Sequence, residues 1–236
     1  MVKKILQNLR ENWITYGFET LVVIVGILGA FALNNWNENR KSRIEAIKLL
    51  NDLRGEFQFN QEQIGGPIGL HENQVKGASK ILEWIGKDLE LEDSLVERTI
   101  RETFYSWQYK PSRAVINSIT NSGKINLIQH DSLIYELNVW SNGIDNYTRM
   151  FQRQEDWLFT HVYPHFNENY PIRNMADSVR SQFKHEVDVI FSTIEFENAM
   201  YGMRQVSDIT WQYMKWLPES QSKIIRMIEE ELQRLE

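Results

Sequence analysis

Two histidines four residues apart, His161 and His165, are the first place to look for chemistry, because that spacing could present both imidazoles on one helical face to a metal ion. Glu155, Asp156 and Glu168 stand close by in sequence as possible carboxylate ligands. Pro164 interrupts a helix just before the second ring, and no third ligand stands at a defined spacing. The pair therefore reads as solvated loop histidines, and no metal is expected. Ser122-Gly123-Lys124 has the last letters of a phosphate loop but not its preceding glycine or its strand-to-helix context, so it reads as a helix cap. No serine lies in a nucleophile elbow, and no carboxylate pair sits in a glycosidase or protease context. The chain has no cysteine, which excludes disulfides, thiolate metal sites and cysteine nucleophiles together. The expectation is a non-enzymatic protein with no cofactor.

One acidic residue, Glu19, has a more unusual setting. It precedes Leu21 to Leu33 (LVVIVGILGAFAL), a run without a charge or a strong hydrogen-bonding side chain. A run of that length also suits a buried helix or a signal-peptide core, so its flanks decide. Upstream, Trp13 to Phe18 extends the apolar character. Trp13 and Trp36 are then separated by about 35 Å of helix, close to the spacing of a bilayer's two aromatic belts. Downstream, Asn34-Asn35-Trp36-Asn37-Glu38 offers no small-residue cleavage site. The reading is an uncleaved single membrane-spanning helix over residues 13–36, with a basic tail at 1–12 and a soluble domain at 37–236. Membrane lipid is its first partner, and Trp13 and Trp36 are its interface anchors. The charges flanking the span nearly balance, while a short basic tail before an uncleaved apolar core favours a cytoplasmic amino terminus and a periplasmic domain.

Glu19, Val22, Gly26, Gly29 and Leu33 recur at the 3–4 spacing of one helical stripe, with Ala30 beside Gly26. Small residues on one face let two backbones approach, which makes the stripe a candidate helix–helix interface for a homo-oligomer or for a subunit of a membrane complex. The bland alternative is that glycine and alanine are simply common in membrane helices. Three readings stand for Glu19: ion or proton handling, a polar contact between helices, or solvation at the interface, which it could reach from about 9 Å along the helix past Trp13.

The elements that would position these residues read as helices. After Trp36 the helical period continues to Gly65-Gly66-Pro67, with Ala46, Leu50, Leu53, Phe57 and Ile64 on one seam. Further helices are expected at about 70–89, 93–107 and 112–122, the last closed by Gly123, and at 132–162 with Asp131 as its cap. A loop is expected from Tyr163-Pro164 to Tyr170-Pro171, followed by helices at about 175–191, 195–217 and 219–235, with Pro218 starting the last. Trp140, Tyr147, Phe151, Trp157 and Phe159, with Tyr201, Trp211, Tyr213 and Trp216, could line a ligand pocket and otherwise form core. No run alternates as a strand does. The fold class is all-α, with a transmembrane helix running into a long helix and then a helical bundle. Over 236 residues, 42% apolar content supplies a core, and the net charge of −6 argues against a general nucleic-acid binder.

Two stretches resemble an uncharacterised family of single-pass membrane proteins found in Bacteroidota, catalogued only as a domain of unknown function. One is Gly17-Phe18-Glu19 with the Gly-Ile-Leu step and the Asn-Asn-Trp-Asn-Glu exit; the other is Ile116 to Ile128 with its Ser-Gly-Lys turn. Gly29-Ala30-Phe31 departs from the more aliphatic pattern expected there. The resemblance implies a bacterial envelope protein, most simply one of the inner membrane, and brings no reaction with it.

Overall fold

The computed structural model describes residues 13–176, 180–183 and 187–235. The basic tail at 1–12 lies outside them. Helices make up 85% of the structure, and no strand occurs among the described residues, so the all-α expectation holds. Among the described residues, one helix is long and apolar enough to cross a membrane, by length and composition.

That helix, α1, runs from Trp13 to Gln63, and no proline interrupts it. Gly65-Gly66-Pro67 ends it by starting the next helix, α2 (Gly65–Trp84), because a proline in a first turn gives up an amide that has no intrahelical partner anyway. Then come α3 (Asp93–Phe104) and α4 (Ala114–Asn121). Gly123, at φ 72°, takes the left-handed turn that any side chain would resist and leads into a 3₁₀ turn, Lys124–Leu127. The long α5 (Asp131–Trp157) is capped by the His130 ring, which accepts from the Leu133 amide at 3.0 Å. The expected cap, Asp131, is instead the first helical residue, where its charge still suits the helix dipole.

Downstream the outcome departs further from expectation. The stretch read as a loop after Tyr163 is helical: a π-turn, Leu158–Val162, passes directly into α6 (Tyr163–Asn169). Pro164 lies in the first turn of α6 and so costs little. The helix expected at 175–191 is replaced, among the described residues, by α7 (Arg173–Ala176) and α8 (Val187–Ile190). The Asn174 side chain accepts from the Ser181 amide at 2.9 Å, a local turn that competes with a continuing helix. The last two expected helices are one, α9 (Ile194–Leu235), with Pro218 inside it. An interior proline costs about 3 kcal/mol. The buried stripe on both sides of it, Met214, Leu217, Gln221 and Ile224, offsets that cost.

The chain divides into two compact units, one made of residues up to Leu49 with Leu235, the other of Leu50–Arg234. In the larger unit, Leu50, Leu53 and Phe57 are fully buried, and the Phe57 ring lies 4.7 Å from that of Trp140 on α5. A second cluster gathers Ile81, Ile100, Val162, Phe166, Phe196 and Met200.

Candidate functional site

The residues singled out in the apolar run all lie on the first part of α1, and none of its most apolar window is buried. Val22 is 53% exposed, Leu33 69% and Trp36 64%. Glu19 and Ala30 are exposed as well. A methyl group placed on Gly26 or Gly29 would meet nothing within 4 Å. Trp13 stands in the first turn of the helix, and the Arg40 guanidinium lies over the Trp36 ring at 5.8 Å. The stripe is therefore an open face, with its backbone groups already satisfied inside the helix.

The larger unit holds a different kind of site, a buried polar network that the sequence reading missed. The segment between α3 and α4 is not helical, so its backbone groups need partners from elsewhere. The Glu56 carboxylate accepts from the amides of Val115 (3.0 Å) and Ile116 (3.1 Å) and from the Ser112 hydroxyl (2.7 Å). It thereby caps α4, which has no side-chain cap of its own. The Asn60 amide takes the Ser112 N–H at 2.7 Å and donates to the Ser112 carbonyl at 2.9 Å. The Tyr109 hydroxyl donates to the Asn60 carbonyl at 2.8 Å and accepts from Gln221 at 3.0 Å.

Next in the chain of contacts, the Tyr109 amide donates to the Tyr147 hydroxyl at 2.8 Å, and that hydroxyl lies 3.2 Å from His71 Nε2. Burial pushes the His71 pKa from 6.5 down to about 4, opposed by the Trp107 carbonyl. Burial also raises Tyr109 to about 12, against the bond from Gln221, and raises Tyr147 further. At neutral pH all three are uncharged, and the network holds the 105–113 segment in place. A signal for it does exist in the sequence: Glu56 and Asn60 interrupt the apolar seam next to Leu53, Phe57 and Ile64, where a polar residue must find a buried partner.

Residues 19–154 match a family of unknown function, DUF6090, and they make up more than half of the chain. The chain belongs to DUF6090. No curated protein and no solved structure matches it.

The DUF6090 match opens at Glu19 and closes at Gln154, whose amide bonds to Gln74. It contains the apolar run and all of the polar network except Gln221 on α9. Beyond it, the two histidines of this DUF6090 chain face different aromatic partners. The His161 ring lies 4.3 Å from that of Trp157, and the His165 ring meets Phe196 edge-on at 5.5 Å. Among the described residues no three His, Cys, Asp or Glu side chains form a group that could hold a metal. The aromatic set splits. Trp140, Tyr147 and Phe151 are core, and Phe159 and Tyr201 are exposed. Trp157 is half-buried and donates from Nε1 to the Ala199 carbonyl at 2.9 Å. Trp211, Tyr213 and Trp216 are half-buried on α9.

Proposed function

We propose that this DUF6090 protein is a membrane-anchored, non-enzymatic scaffold or accessory subunit of the bacterial inner membrane. It self-associates, or docks with a larger membrane complex, through the Val22, Gly26, Gly29, Ala30 and Leu33 face of α1, and carries its soluble domain on the periplasmic side. The observation that carries this reading is the contrast within α1: Leu50, Leu53 and Phe57 are fully buried, whereas the large apolar residues of the run from Leu21 to Leu33 are at least half exposed. A contiguous apolar surface of that kind is foreign to a monomer in water and ordinary in lipid. The seam after the anchor is filled by the chain's own core, so the small-residue stripe is the face left for a partner helix, where association rests on close backbone packing.

The absence of native cysteine makes the test direct. Single substitutions Gly26→Cys and Ile27→Cys are compared by oxidative crosslinking in native membranes, alongside mass measurement of the purified protein in mild detergent. The reading requires dimers or a discrete heteromeric adduct from Gly26→Cys and far fewer from Ile27→Cys. A monomer in both experiments would sink it. Labelling of a cysteine placed in the soluble domain by a membrane-impermeant reagent on intact cells tests the orientation. A second reading, ion or proton coupling at Glu19, draws on its position on the same exposed stripe. Unchanged assembly and function in Glu19→Gln removes it.

A further inference from the structure

Between α5 and α9 lies a cleft of about 520 Å³ whose lining contains no charged side chain. Its size falls within the range of about 300–1,000 Å³ typical of small-molecule sites, which pair apolar and aromatic walls with a few polar groups. The Trp216 and Tyr213 rings supply the aromatic wall, and Val139 and Ile209 supply aliphatic surface. The polar groups are all side-chain amides, from Asn142, Asn146 and Gln212. The Asn146 side-chain oxygen also accepts from Arg149, and the Gln212 side-chain nitrogen donates to Asp208 at 3.5 Å; each amide both donates and accepts, so the groups that remain match a ligand carrying hydroxyls or an amide of its own.

The wall is preformed. A methyl group on Gly143 would collide with the six-membered part of the Trp216 ring, so the glycine is what allows that ring to lie against the backbone of α5. Trp216 and Val139 also border a second cavity of about 770 Å³, where Glu136, Glu219, Lys223 and Arg226 stand. Charged side chains thus stand around the first cavity, while its own lining is neutral.

We infer that this cleft binds a neutral N-acetylated saccharide, whose ring lies on the aromatic wall, whose acetyl methyl meets Val139 and Ile209, and whose amide and hydroxyls pair with the three side-chain amides. Amphipathic rings such as tryptophan and tyrosine suit a partner that is apolar on one face and wet at its edge. The inference does not depend on how the anchor assembles.

The test uses the full-length protein in a detergent without a sugar headgroup, titrated with chitotriose and followed by intrinsic tryptophan fluorescence and calorimetry. A saturable signal is expected. Asn142→Ala and Gln212→Ala, both at exposed positions, should each weaken binding about tenfold, as loss of a paired hydrogen-bonding group does, without changing the melting temperature. Absence of saturable heat and fluorescence change at millimolar chitotriose overturns the inference. So does unchanged affinity in the double variant, or equal affinity for a uronic-acid oligosaccharide of the same length.

Discussion

Acidification should weaken the larger unit through His71 in particular, and the size of the effect can be worked out. The folded protein holds this ring neutral until pH falls to about 4, whereas the unfolded chain protonates it at about 6.5. Between those values the unfolded state binds a proton that the native state refuses, so stability falls as pH falls through that window and gains nothing further from this group below it. The gap corresponds to about 3 kcal/mol, a large share of the about 5–15 kcal/mol that holds a typical domain. The measurement is urea unfolding of the detergent-solubilised protein at a series of pH values from neutral to about 4, followed by tryptophan fluorescence and compared with His71→Gln. The variant is less stable at neutral pH, because it loses the edge-on ring contacts with Tyr147 (5.9 Å) and Phe151 (5.7 Å). Its stability should nevertheless decline less steeply on acidification, since all other titrating groups are common to both proteins. Parallel pH profiles for the two proteins would refute the reasoning and mean that the folded state accommodates a charged imidazole.

Other outcomes follow from named contacts. Glu56→Ala strips three hydrogen bonds from the start of α4 and Ser112 and should cost about 2–3 kcal/mol in urea unfolding, with faster hydrogen exchange at the Val115 and Ile116 amides as the local sign. Gly143→Ala drives a methyl into the Trp216 ring and should destabilise by about 1–3 kcal/mol, the ordinary range for overpacking; the same substitution at half-buried Gly69, where nothing lies within 4 Å, should be neutral or stabilising. Gly26→Leu should reduce crosslinked species in native membranes while leaving the melting of the soluble domain unchanged, since nothing within the chain packs on that residue.

The parts of this molecule legible in the sequence are those written in local pattern. The run from Leu21 to Leu33, the seam of Leu50, Leu53 and Phe57, and the turn at Gly123 each depend on near neighbours in the chain, and the structure keeps all three. Pro164 and Pro218 were misread because a proline's effect depends on its place in the turn and on what tertiary burial offsets. The aromatic residues of α5 could be assigned to core from their spacing, but the cleft beside Trp216 depends on Gly143 in another helix, and spacing along one helix cannot reveal that. Glu56 and Asn60 stand out in the apolar seam, but the partners of the network do not: Tyr109 bonds to residues 49 positions before it and 112 after it, and nothing local announces such a partner.

The part that α1 takes in capping α4 bears on where this chain can be cut. The residues that hold Ser112 and the start of α4, Glu56 and Asn60, lie on the helix that carries the apolar run. A shortened protein beginning at Gly65 would lose them together with Phe57, leaving the Trp140 ring without its neighbour and the α4 amides without an acceptor. A soluble version has to keep Leu50, Leu53 and Phe57, all fully buried, and so has to begin at or before Leu50. Any natural rearrangement that exchanged the anchor for another would meet the same limit, because the junction it can tolerate lies within a helix and not at the end of one.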